Sequence, residues 1–368
     1  MIISSSKKSI MLCGPALSAV SGVSTHLNQL LDSPLTNEFN LFHFQVGSEG
    51  RNEGRLGKIW RLLTGPFSFF YCSITKKPDI ILLNTSLVPK AFWRDLINLF
   101  IAKMLGIPTV YQVHGGELPE RFLGTSRVAR WFVGACMTLP NAIVLLAEVE
   151  RQSYRRIKGI KLISVIPNAI DLSAYSHIKP KDFKADILQL GYIGRLADDK
   201  GIRESLLALG LLKESGDLSC RYSIAGAGPA ENDLRELASK LKLNNDVCFL
   251  PPVFDNEKIK FWENTDIFLF PTTHREGLPY TILESLASGT PVITSRVGGI
   301  PDVVTDDIHG KFVDPYDVED IADAIKQLTT DREKLRQMSL RAIERAHENY
   351  TVSRLASQFS QIFNKVLQ

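Results

Sequence analysis

A chain of 368 residues is longer than one ordinary domain and suits two of roughly 150–200 residues each. Its 44% hydrophobic and 23% charged residues exclude a largely disordered or collagen-like protein. The net charge of +3 conceals an asymmetry, with Lys and Arg in excess up to Lys179 and Asp and Glu in excess beyond it, so the first half is expected to meet something anionic. A membrane surface or a phosphorylated acceptor would serve; no motif for RNA or DNA accompanies the charge, and nucleic acid is not an expected partner.

At the start, Lys7 and Lys8 precede an apolar stretch that loosely imitates a signal peptide, but Gly14 and Pro15 interrupt it, and a strand ending in a glycine turn explains it better. Strands are expected at 9–13, 39–46, 79–83, 109–113, 142–146 and 162–166, with amphipathic helices between them. A polar stretch at 176–186 reads as the interdomain linker. The pattern restarts with strands at 187–193, 221–225, 247–250, 266–270 and 291–294, and with helical segments at 231–241 and 281–288. From Val318 on the chain is helical, with Leu355, Phe359, Ile362, Phe363 and Val366 at helical spacing. The fold class is therefore α/β, two doubly wound parallel sheets, with domains at 1–180 and 181–351. Cys13, Cys72, Cys136, Cys220 and Cys248 stand singly, which suits a reducing cytoplasm. No run reaches the roughly 18 apolar residues of a spanning helix.

In open parallel sheets ligands bind beyond the carboxyl ends of the strands, and the unusual residues collect there. The first strand leads to Gly22 at a helix start, where backbone N–H groups can approach a phosphate. The fourth leads to His114-Gly115-Gly116, a titratable ring beside flexible backbone that could orient an acceptor or a transferred sugar. In the second half Gly194-Arg195 and Lys200-Gly201 follow a strand. Arg195 can grip two phosphate oxygens and Lys200 adds a point charge, although two solvated loop charges would look the same. Gly226 and Gly228 form a lone G-x-G, expected to let the chain pass close to a nucleotide. Glu276, Gly277 and Leu278 precede a helix that contains Glu284. The two carboxylates suit hydroxyl binding better than the acid and nucleophile of a hydrolase. Gly298-Gly299 reads as a further small-residue loop. No metal cluster emerges, and Asp198-Asp199 beside Lys200 makes a poor Mg²⁺ site, so neither metal nor other cofactor is expected.

Together these residues resemble the large retaining glycosyltransferase family of GT-B fold that builds bacterial polysaccharides, lipopolysaccharides and glycolipids. The most specific part is the segment from Glu276 to Glu284, which looks like the family's E-x7-E signature, flanked by Gly194-Arg195, Lys200-Gly201 and Val165-Ile166-Pro167-Asn168. Ser21-Gly22-Val23 stands where a double glycine is common, and Ala169 where glycine is frequent. The resemblance implies two Rossmann-like domains facing across a cleft, with residues 352–368 crossing back to the first. It implies that Arg195 and Lys200 hold a donor diphosphate, that Glu284 binds the ribose and Glu276 the sugar, and that Gly22 approaches the diphosphate. His114 would lie near the transferred sugar, and family frequency favours UDP as the nucleotide. The reaction would retain anomeric configuration, the departing phosphate assisting deprotonation of a glycan or lipid-linked acceptor.

On the acceptor side Arg51, Arg55, Lys58 and Arg61 surround Trp60, and Phe67, Phe69, Phe70 and Tyr71 follow. A second basic and aromatic stretch runs over 121–131. Both fit an anionic bilayer, and equally a solvated basic face above a buried aromatic one. The expected location is the cytoplasm, with peripheral attachment to the inner face of the membrane. A nucleotide-sugar epimerase of the same architecture and a non-catalytic nucleotide-sugar-binding subunit are the rival readings.

Overall fold

The computed structural model describes residues 7–124, 126–178, 180–275 and 277–368. The chain forms two compact units, Met1–Ala169 with Val352–Gln368, and Ile170–Thr351.

The first unit holds β1 (Ser9–Gly14), β2 (Asn40–Gln45), β3 (Ile80–Leu87), β4 (Thr109–Gly116), β5 (Ala142–Leu145) and β6 (Ile163–Val165). They are parallel and lie in the order β2-β1-β3-β4-β5-β6. A parallel sheet covered on both faces needs apolar residues at successive positions, and β1 shows why. Ile10 and Leu12 point to one core and Met11 and Cys13 to the other. The helix Val352–Leu367 buries Leu355, Phe359, Ile362 and Phe363 in the first of these cores, so its apolar stripe belongs to this unit.

The second unit holds β7 (Leu188–Ile193), β8 (Cys220–Ala225), β9 (Val247–Leu250), β10 (Ile267–Phe270), β11 (Val292–Thr294) and β12 (Gly310–Phe312). They too are parallel, in the order β12-β11-β10-β7-β8-β9. The order reverses direction between β7 and β10, and loops beyond that point are where such a sheet binds ligands.

Three expectations are corrected. The boundary falls between Ala169 and Ile170 rather than at 180, because the Ile170 N–H donates to the Tyr350 carbonyl (2.7 Å) and Tyr175 and Phe183 are buried, tying the polar stretch into the second unit. β4 does not stop before His114 but continues to Gly116, which pairs with Leu87 past an irregularity in β3. β12 was not expected: three residues show no alternation, and Gly310 sits where a Cβ would lie 1.9 Å from the Val292 carbonyl oxygen.

Candidate functional site

Beyond the switch point of the second sheet, three loops are knitted together by backbone. Gly194, at φ +153°, follows β7. A Cβ on Gly226 would lie 1.9 Å from the Gly194 carbonyl oxygen, and one on Gly228 would lie 2.1 Å from that of Leu196. The G-x-G after β8 thus brings the chain against its own β7 loop. Gly201, at φ +74°, packs in the same way on the loop after β10, with a Cβ position 2.0 Å from the Pro271 carbonyl oxygen.

Asp199 is the second tie between these loops. Its carbonyl accepts from the N–H groups of Thr273 (3.0 Å) and His274 (3.1 Å) and from the Thr272 hydroxyl (2.9 Å). Its carboxylate lies 2.8 Å from His274 Nδ1 and 3.9 Å from the Arg195 guanidinium. Arg195 is otherwise directed to solvent, while Lys200 is buried at the end of the short turn Asp198–Lys200. The helix Ile202–Glu214 follows, without a side-chain cap for its first N–H groups. Two cations beside uncapped amides on a rigid base can receive an anion.

Glu284 lies on the helix Tyr280–Ala287 and is buried. One oxygen meets Lys258 Nζ at 2.6 Å and the other accepts from Trp262 Nε1 at 3.2 Å. A carboxylate has about four acceptor positions, so both oxygens can still take hydroxyl donors. Gly277 and Leu278 are buried just before this helix. Glu276 lies outside the described residues.

The first unit presents a different group. Gly22 is the first residue of the helix Gly22–Leu31, and Ser21 caps it by accepting from the Ser24 N–H (3.2 Å). The loop before it is held by side chains: His43 Nε2 lies 2.9 Å from the Pro15 carbonyl, Asn28 donates to that of Leu17 (2.9 Å), and the Ser24 hydroxyl donates to that of Ala16. The same helix carries His26, whose ring stands edge-on to that of His114 at 5.0 Å. His114 Nε2 lies 2.9 Å from Asn84 Oδ1, and Asn84 Nδ2 donates to the Cys13 carbonyl (3.1 Å). The second bond orients the amide, so Nε2 carries the proton and Nδ1 is left as an acceptor. Burial, and to a lesser degree His26, pushes the His114 pKa well below the usual histidine value. Burial likewise pushes His26 down to about 4, an effect Gln112 partly offsets although no His26–Gln112 contact reaches hydrogen-bonding geometry. Both rings are therefore neutral near pH 7.

The expected residues thus fall into two groups. Gly194, Arg195, Lys200, Gly226 and Gly228 share one set of loops, and Glu284 stands on the neighbouring helix of the same unit. Gly22 and His114 belong to the first unit, joined through His26. Sequence reasoning assigned no role to Asn84, His26, Asp199, Lys258, Trp262 or His274. Asn84 carried a signal, as a polar residue continuing an apolar strand at its carboxyl end. Among the described residues no three His, Cys, Asp or Glu side chains gather as a metal site.

Residues 176–345 match the family model described as Glycosyl transferases group 1. The chain is 25% identical over 383 residues to alpha-monoglucosyldiacylglycerol synthase of Streptococcus pneumoniae, covering 93% of this chain and 85% of that one. It is 25% identical over 289 residues to alpha-D-kanosaminyltransferase of Streptomyces kanamyceticus, covering 72% of each. Among solved structures, HepE of Anabaena in complex with UDP-glucose superposes with a TM-score of 0.76 at 19% identity, over 97% of this chain and 99% of that one.

Proposed function

We propose that this chain, which carries a glycosyl transferases group 1 domain over residues 176–345 and two sheets of the GT-B fold, moves a sugar from a nucleotide diphosphate sugar to a glycan or lipid-linked acceptor with retention of anomeric configuration. The observation that carries the reading is the knitted loop set beyond β7 and β10. It holds an exposed guanidinium and a buried ammonium beside an uncapped helix start, one helix away from a buried carboxylate with acceptor capacity to spare.

In this reading Arg195 and Lys200 stabilise the negative charge that gathers on the departing diphosphate, and that is where charged donors contribute most. Their two positive charges do the work a divalent ion would do, so the reaction needs no metal. Glu284 accepts from ribose hydroxyls, and Glu276 contacts the sugar. His114, neutral and with Nδ1 as acceptor, takes a hydroxyl of the transferred sugar. The departing phosphate receives the acceptor's proton, with the new bond formed on the same face. UDP is the favoured nucleotide, in keeping with the UDP-glucose held by HepE.

The test is a thermal-shift titration of wild type and Glu284→Ala with UDP, GDP and ADP in EDTA, followed by an assay for release of the nucleotide from its sugar. A ligand at 100 times its Kd stabilises by about 2.7 kcal/mol. A shift with one nucleotide, weakened in the variant, supports the donor site and identifies the base. No shift at millimolar nucleotide overturns it, and binding without transfer to any acceptor points to a non-catalytic subunit.

A further inference from the structure

We infer that the first unit docks on an anionic lipid bilayer through one face made by the helices Arg55–Lys76, Pro89–Met104 and Arg127–Met137. This deepens the proposed function by choosing a lipid-linked acceptor, and it can fail without the donor site failing, because vesicle binding is measured without nucleotide.

On the first helix Leu56, Trp60, Leu63, Phe67, Phe70 and Ile74 recur every three or four residues and are all exposed, while the core takes only Phe69 and Ser73. An ordinary surface helix turns its apolar stripe inward; this one turns it outward. The second helix buries Phe92 and Leu99 yet exposes Trp93, Ile97, Phe100 and Met104, and the third exposes Val128 and Trp131. The first two helices pack together, and the second and third meet where the Trp93 and Phe132 rings lie 5.7 Å apart. Of the chain's 4 tryptophans, Trp60, Trp93 and Trp131 are 70%, 48% and 72% exposed on this face, and only Trp262 is buried.

Charge selects the occupant. The three helices contain a single acid, Asp95, which is buried and paired with Arg94 at 2.7 Å. The same helices carry the exposed cations Arg55, Lys58, Lys76, Lys103, Arg127 and Arg130. A second copy meeting this face about a two-fold axis would set like charges against each other, whereas anionic headgroups neutralise them. Tryptophan favours the headgroup level of a bilayer. No described helix is long and apolar enough to cross a membrane, so this face lies on the lipid.

The experiment mixes the full chain with vesicles of phosphatidylcholine alone or with phosphatidylglycerol added, and reads co-sedimentation and tryptophan emission. Binding with a blue shift is expected on the anionic vesicles, weakened by salt and nearly absent on the neutral ones. Arg55→Gln with Lys58→Gln should weaken binding on the order of thirty-fold, from two surface charges. Trp60→Ser with Phe67→Ser, both exposed and so compatible with folding, should weaken it at least as much while leaving nucleotide thermal shifts unchanged. No binding to anionic vesicles at low salt overturns the inference. So does a concentration-dependent dimer by light scattering that the Trp60 and Phe67 variant abolishes, which would assign the face to a second copy.

Discussion

The two units share one architecture, yet the carboxyl ends of their sheets are finished with opposite chemistry. In the second unit charge predominates, with Arg195, Asp199 and His274 grouped in loops that glycine backbones lock together and Glu284 held by Lys258 and Trp262. In the first unit the corresponding place holds a neutral group: two histidine rings with depressed pKa values and the amide of Asn84. The difference follows from solvation. Charges persist where water or a counter-ion reaches them, and groups enclosed without a partner of opposite charge stay neutral.

The largest break in this contrast should come from Gly201→Ala, which puts a methyl 2.0 Å from the Pro271 carbonyl oxygen on backbone at φ +74°. A loss of roughly 4 kcal/mol in denaturant unfolding is expected. Gly22→Ala, on helical backbone in the first unit, should change stability by less than about 1 kcal/mol. Comparable losses from both would show that the close approach to Pro271 is not what makes Gly201 costly to replace.

Glu284→Ala should lower kcat/KM for the donor by on the order of a hundred-fold, and it leaves the partly buried Lys258 without its counter-ion, at a cost of about 3 kcal/mol in stability. Calorimetric nucleotide affinity unchanged from wild type would remove Glu284 from the site.

Acid should destabilise the first unit through His26. Its folded pKa of about 4 lies below the unfolded value near 6.5. Above pH 6.5 both states are neutral; as pH falls towards 4 the unfolded chain binds a proton that the folded one refuses, so stability is lost, by about 3 kcal/mol in full. His26→Leu should flatten stability against pH over that window. His309, also held near 4, chiefly by burial, is the corresponding group in the second unit, and an equal flattening by His309→Leu would sharpen the comparison.

The smallest effect is the most diagnostic. Asn84→Ala should cost about ten-fold in kcat/KM, the worth of one hydrogen bond that orients His114. Asn84→Asp sets a carboxylate against the ring and raises its pKa, so activity should fall as pH drops through the new value, where wild type stays flat. An unchanged pH profile in Asn84→Asp would show that Asn84 does not govern the state of the ring.

Much of this was legible before folding. Strands such as β1 and β10 announce themselves because a parallel sheet covered on both faces demands apolar runs, and Gly194, Gly201 and Gly226 announce turns because left-handed or crowded backbone excludes a Cβ. The apolar spacing of the helix Arg55–Lys76 was equally plain, but spacing alone does not say whether a stripe faces core or solvent. Only the exposure of Trp60 and Phe67 separated the two readings.

The sequence by itself determined the local grammar: six apolar runs and a polar interval, then the pattern again, with cations and carboxylates placed after strands. That grammar is carried by near neighbours, whose preferences do not depend on what packs against them. The tertiary structure alone decided which side chains meet. Lys258 reaches Glu284 across 26 positions, and Asn84 reaches His114 across 30. It also decided that the G-x-G after β8 packs on its own neighbouring loop. Such pairings depend on strand order and register, which bring distant residues within hydrogen-bond reach and which no local window of sequence contains.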